Sequence, residues 1–202
     1  MAGAERPGAI LRSFKGAFPI LHETAWVAPG AAVIGDVEIG RDSSVFYGCV
    51  LRGDVHHIRI GERTNVQDQA TLHVTEGRYP TILADEITVG HRAVVHGCRV
   101  EEGALIGIGA VVLDGASIGE NALVAAGAVV RPGQIIDPET LWAGVPAREV
   151  RRLRPDEIAL QRKRTLRYVE TARLHSQGGE TPNMPASLGT ARRTPGSDPT
   201  RE

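Results

Sequence analysis

Aromatic residues are scarce: two tryptophans, three tyrosines and three phenylalanines make up 4% of the chain. Any core must therefore be built from aliphatic side chains. Cysteine is nearly absent, and Cys49 and Cys98 are too few and too far apart to form a disulfide framework. A reducing compartment, the cytoplasm, is the expected location. Neither sign of charge dominates, since 23 Lys and Arg against 24 Asp and Glu leave a net charge of −1. That balance offers no electrostatic footprint for nucleic acid or for an anionic membrane. No apolar run approaches the ~20 residues of a membrane span, and the opening MAGAERPGAILRSF lacks the apolar stretch of a secretory signal.

What is present is glycine, 24 residues of it, and 42% hydrophobic content spread along 202 residues. Aliphatic residues recur every sixth position. Val33, Ile39, Val45 and Leu51 form one register, and Ile60, Val66 and Leu72 a second. Val100, Ile106, Val112, Ile118, Val124 and Val130 form a third, unbroken one. Small residues such as Ala116, Ala122 and Ala128 recur four places after an aliphatic one, and Ser44 stands just before Val45. A period of six matches neither an amphipathic helix nor a half-buried strand. It fits short strands joined by tight corners, each strand turning one aliphatic side chain inward. The pattern resembles the hexapeptide repeat of the left-handed parallel β-helix, in which three hexads make one triangular coil. The fold class expected is all-β, a left-handed parallel β-helix with a C-terminal α-helix. Residues 1–24 are expected as an extended lead-in and 25–136 as the β-helix, with room for roughly six coils. Residues 137–175 are expected to close the stack and form the helix, which starts at Arg154-Pro155-Asp156-Glu157. The polar, Gly- and Pro-rich 176–202 read as a disordered tail.

Three of the seven histidines, His73, His91 and His96, fall between Asn65 and Cys98 among amides and carboxylates. Imidazole is the commonest zinc ligand, and catalytic zinc sites use three protein ligands with one position open. His73 and His91 are eighteen residues apart, one coil if no loop intervenes, so they are expected to stack. His91 and His96 lie around a corner and diverge, which argues against their sharing an ion within one chain. A site between chains, closed by a threefold ring, resolves this. His56 and His57 are expected to face opposite ways along a strand, and Cys49 and Cys98 to point inward.

Arg52-Gly53-Asp54, Asn65-Val66-Gln67-Asp68, Leu72-His73, Val89-Gly90-His91 and Val95-His96-Gly97-Cys98 together resemble the γ-class carbonic anhydrases over about residues 15 to 175. The resemblance implies a homotrimer with metal sites at the subunit interfaces. His73 and His96 would come from one subunit and His91 from the next. It implies Zn2+, with Fe2+ or Co2+ also suited to three imidazoles, and carbon dioxide and bicarbonate as the small-molecule substrates. It gives Gln67 and Asn65 the task of orienting the reactive water, and makes Arg52, Asp54 and Asp68 an ion-pair cluster across the subunit contact.

The chain departs from the family in one respect. Active members carry an acidic loop whose glutamate exports protons, whereas Gly53-Asp54-Val55-His56-His57-Ile58 has no insertion and no Glu. Slow turnover is the expectation, because hydration needs proton export as well as a reactive water. Two other readings compete. One is an acyltransferase or thioesterase acting on an acyl-coenzyme A, since Trp142-Ala143-Gly144-Val145-Pro146-Ala147 resembles the last coil of such enzymes. The other is a metal-stabilised trimeric scaffold without turnover.

Overall fold

The structure, a computed structural model, describes residues 7–178. The chain winds as a parallel β-helix of about seven turns with a single C-terminal helix. Each turn lays one short strand on each of three faces. The first face stacks Ile10–Arg12, the start of Ala32–Ile39, the start of Val50–Ile60, Thr71–His73, Val94–His96, Val111–Val112 and Val129–Val130. The second carries Ile20–Leu21, the far ends of the two long strands, Thr81–Leu83, Arg99–Val100, Ser117–Ile118 and Ile135–Ile136. The third runs from Trp26–Val27 through Ser44–Val45, Asn65–Val66, Thr88–Val89, Leu105–Ile106 and Leu123–Val124 to Thr140–Ala143. Arg148–Arg152 then folds back antiparallel on the last of these and closes the sheet.

The six-residue period has a direct physical cause. One residue per strand points into the prism and the next corner follows at once, so inward positions recur at each face. Leu51, Leu72, Val95, Val112 and Val130 stack in register on the first face, and all are fully buried. Ile106, Ile118 and Val124 are likewise at 0% exposure. The small residues Ala104, Ala110, Ala116, Ala122 and Ala128 line the corners from within. Cys49 and Cys98 are buried free thiols, as expected from their place in the repeat, and burial pushes both up to about 12.

At many corners the chain takes a left-handed turn. Gln69 and Arg92 do so at φ 61° and 58°, one above the other, and the Arg92 Nε–H donates to Gln69 Oε1 at 2.9 Å. Where the next coil's backbone crosses closely, only glycine fits. A Cβ on Gly90 would sit 2.7 Å from the amide nitrogen of Ile108.

The segment expected as a lead-in is extended, and it also forms the first coil. Ile10–Arg12 pairs with Ala32–Ile34, and Ile20–Leu21 with Glu38–Ile39. This additional coil, with the closing one at Thr140–Ala143, raises the expected six to about seven. The helix spans Pro155–Ser176, with Pro155 in its first turn and Asp156 and Glu157 beside the positive end of its dipole. It lies along the third face, where Gln161, Thr165 and Ala172 are buried against the sheet. Residues 179–202, which hold most of the expected disordered tail, lie outside the described residues.

Candidate metal centre

The first face has two long edges, and the sequence-selected residues divide between them. Asn65, Gln67, Asp68 and His91 lie at or beside the corner where the chain passes from the third face to the first. Arg52, Asp54, His73 and His96 lie at the opposite edge, where it leaves the first face for the second. A three-residue strand such as Val94–His96 separates the two edges, roughly 10 Å of extended chain.

At the outgoing edge, His73 stacks on His96. The expected stacking of His73 on His91 does not occur. The eighteen-residue rule fails because residues 74–80 form a loop, pinned by the Thr75–Tyr79 bridge. The ten-residue step from His73 to Leu83 therefore lies over the four-residue step from His96 to Val100. His91 instead lies one coil above Asp68, its Nδ1 2.8 Å from Oδ2 of that carboxylate.

The two stacked imidazoles form the centre of a four-residue chain. His73 Nε2 lies 3.1 Å from Asp54 Oδ1, His73 Nδ1 lies 2.9 Å from His96 Nε2, and His96 Nδ1 lies 2.5 Å from Asp114 Oδ1. Arg52 forms an ion pair with the other oxygen of Asp54. The carboxylates accept, so the outer nitrogen of each imidazole carries the proton. Each inner nitrogen of a neutral ring then presents a lone pair, and two lone pairs at 2.9 Å repel unless a cation lies between them. That cation is either a proton or a metal. Two nitrogens on one tetrahedral zinc are about 3.3 Å apart for bonds of about 2.0 Å, so a small opening of the pair admits an ion.

Burial pushes the His73 imidazole below its usual value, with Asp54 opposing and Arg52 and His96 adding to the shift. A neutral ring is the ligating form. Burial alone would raise Asp54, but its hydrogen bonds from Arg52 and His73 hold it below the usual carboxylate range. Asp114 behaves in the same way, with His96 and Thr75 as its donors. Imidazoles backed by carboxylates are the outer-shell arrangement found around metal-ligating histidines. The donor set therefore fits a divalent cation. Among the described residues no three His, Cys, Asp or Glu side chains converge on one point, because His91 stands on the other edge.

At the incoming edge the amides are fixed by the helix. Asn65 and Thr88 point outward from the third face yet are 1% and 7% exposed, because the helix covers them. Asn65 Nδ2 donates to Thr88 Oγ1 at 2.9 Å, and Thr88 Oγ1 meets Thr165 Oγ1 of the helix at 2.8 Å. Gln67 Nε2 donates to Asn65 Oδ1 at 3.2 Å. Tyr168 also bonds Gln67, although burial and Asp68 raise its hydroxyl above the usual value. Asn65 and Gln67 thus share one side, as strand alternation predicts. Arg52 and Asp54 meet within the chain, whereas Asp68 lies across the face from them.

Two residues had other fates than expected. His56 and His57 face each other rather than opposite ways, with their Nδ1 atoms 3.2 Å apart. The step from Gly53 to Ile58 lies against only the step from Gly35 to Val37, so the extra residues bulge and alternation is lost. At the end of the helix, His175 stacks on Trp26 and its Nδ1 lies 3.0 Å from the Tyr47 hydroxyl, which secures that end. Asp114 was missed altogether. Its signal was its position one eighteen-residue coil after His96.

The sequence profile of the bacterial transferase hexapeptide family (six repeats) matches residues 97–132. The "Probable carbonic anhydrase" of Methanocaldococcus jannaschii is 52% identical over 75% of this chain and 94% of its own length. "Gamma carbonic anhydrase 1, mitochondrial" of Arabidopsis thaliana is 45% identical over 81% of this chain. The chain spans about six-tenths of the length of the Arabidopsis relatives it matches, 62% of the first and 59% of the second. Among solved structures, a Bacillus cereus "putative acetyltransferase" superposes with a TM-score of 0.82 at 39% identity, over 84% of this chain and 98% of its own. A hexapeptide transferase family protein from Anaplasma phagocytophilum gives 0.78 at 36%, over 81% and 96%.

Proposed function

Since the chain belongs to the γ-carbonic anhydrase-like family of hexapeptide-repeat proteins, we propose that it is a homotrimeric metalloenzyme that hydrates carbon dioxide to bicarbonate. The observation that carries this reading is the pair of imidazole nitrogens, His73 Nδ1 and His96 Nε2, facing each other at 2.9 Å. Their outer nitrogens are held by Asp54 and Asp114, so both rings are set to give lone pairs to one cation. The His91 imidazole, on the other edge, is the third ligand and comes from a neighbouring chain. Zn2+ is the proposed ion, and three imidazoles suit Fe2+ and Co2+ as well. When bound, such an ion makes water nucleophilic near neutral pH.

The chain's own side chains do the rest. Asp54, fixed by Arg52, accepts from His73 Nε2–H and so leaves Nδ1 as the lone-pair nitrogen of that ring, while burial favours its neutral form. Gln67 gives its amide N–H to Asn65, which leaves its carbonyl oxygen to accept from a reactant water. Asn65 is itself fixed through Thr88 and the helix, so the orienting amides sit on rigid elements. Arg52, Asp54 and Asp68 then meet across the subunit contact and align the two half-sites.

Placement of the two half-sites supports a ring of chains. They lie on opposite edges of one face, so each chain offers a different edge to each neighbour, which is a heterologous contact that closes by rotation. The outward residues between them form an apolar ladder. Val50 and Val94 flank Thr71, and Val111 and Val129 continue the column, all only partly buried. A neighbour lying on this face would cover them.

Stopped-flow hydration of carbon dioxide by protein reconstituted with Zn2+, Co2+ or anaerobic Fe2+ tests the reading. Saturable catalysis that a chelator removes is expected, slower than in relatives with a glutamate loop. A fully metallated protein with no rate above buffer would leave a metal-stabilised scaffold. The structural likeness to proteins described as acetyltransferases favours acyl transfer as the second reading. Acetyl-coenzyme A consumption in the same preparation would reveal it.

A further inference from the structure

Asp114 reaches the metal-centre edge from one coil beyond His96, where the amide of Gly115 donates to the carbonyl of Gly97 at 2.7 Å. Both of its carboxylate oxygens are engaged. Oδ1 lies 2.5 Å from His96 Nδ1, and Oδ2 accepts from the Thr75 hydroxyl at 2.8 Å. Thr75 belongs to the loop after His73 and is held there by its backbone, whose amide donates to the Tyr79 carbonyl at 2.9 Å. The neighbouring glycines leave the space this requires. A Cβ on Gly97 would lie 2.4 Å from Asp114 Oδ1, and one on Gly115 would lie 3.0 Å from the Tyr79 ring. A carboxylate with both oxygens committed and its surroundings cut to size differs from an ordinary half-exposed ion pair, which contributes little.

Resting on the metal-site reading above, we infer that Asp114 is a positioning residue that fixes His96 as the Nδ1–H tautomer and so keeps Nε2 free to ligate. An imidazole protonated on Nε2 cannot bind a metal through that atom. Without Asp114, His96 is free to carry its proton on either nitrogen and to rotate about its side-chain bonds. The loop at residues 74–80 then has a task beyond connection. It brings Thr75 over the edge to hold Asp114, while the residue before it in the centre, His73, is held by Asp54. The two imidazoles are oriented by carboxylates from different coils, one on each side of the pair.

Two readouts separate this inference from the reading it rests on. The first is Co2+ titration of the assembled full-length protein, followed by visible absorption. Asp114→Ala should weaken Co2+ binding by about 10- to 100-fold. Asp114→Asn should recover part of the loss, because its amide oxygen still accepts the Nδ1 proton. The second is nitrogen NMR of the metal-free protein labelled on histidine. In the wild type His96 should carry a proton on Nδ1, whichever ring holds the proton between the two inner nitrogens, and it should lose that preference in Asp114→Ala. If Asp114→Ala does not fold, Thr75→Val, which leaves Asp114 in place, should give a smaller loss of the same sign. Co2+ affinity within twofold of wild type, with an unchanged His96 tautomer, would overturn the inference. Wild-type protein that takes up no Co2+ would overturn the metal-site reading, while the metal-free tautomer measurement would still decide what Asp114 does to His96.

Discussion

His91→Ala is expected to yield a folded, assembled protein that no longer retains metal. The His91 side chain is 42% exposed and its one carboxylate partner, Asp68, 39% exposed, so its removal from the isolated fold should change stability by less than about 0.5 kcal/mol. Its effect on the ion should be far larger. In the proposed three-imidazole site two ligands would remain, and the loss should exceed the roughly 10- to 100-fold that removal of an outer-shell partner costs. Metal analysis after gel filtration, with circular dichroism as the control for folding, reads both quantities. Metal retained at one ion per chain would remove His91 from the site. A collapse of the fold would give this half-exposed side chain a structural task that its environment does not suggest.

The second large effect belongs to the scaffold. Ile118 is at 0% exposure and pairs in register with Val100 below and Ile136 above. No neighbouring coil can move into the space a truncation would leave, because each strand is held at the ordinary sheet spacing by its own backbone hydrogen bonds. Ile118→Ala should therefore cost about 2–5 kcal/mol, read as a lower urea midpoint at fixed protein concentration. Metal bound per folded chain should stay unchanged, since Ile118 lies on the second face, away from both half-sites. A cost below about 1 kcal/mol would mean that the prism interior is not close-packed at this rung.

The core and the candidate site were not equally legible in the sequence. The inward registers could be read directly, because burial inside a triangular prism imposes the same requirement on every sixth residue. Val33, Leu51, Val100, Ile106 and Val130 are all buried as their period demands. The helix start was legible for a local reason, a proline followed by two acids at a positive dipole end. Stacking of the site residues was harder, because it depends on the length of every intervening loop. The loop at residues 74–80 shifted His73 off His91 and onto His96, and nothing in the repeat itself records that shift. The bulge after Gly53 had the same effect on His56 and His57, whose alternation could be trusted only in a regular strand. Asp114 illustrates the converse. It follows His96 by one uninterrupted coil, so its proximity was computable, but a lone aspartate at a corner also suits the turn itself. Only the two oxygens, each with its own donor, distinguish the two roles.

Complementation of half-sites tests most directly the claim that one chain's edge completes the next. His91→Ala subunits and His73→Ala/His96→Ala subunits are each expected to be metal-free when assembled alone. Refolded together, they create contacts at which the first kind supplies His73 and His96 and the second supplies His91. Metal titration of the mixed assemblies should recover a fraction of the wild-type sites, with neither parent binding at the same concentration. Mixed assemblies proven by mass spectrometry that recover no metal would contradict a site shared between chains.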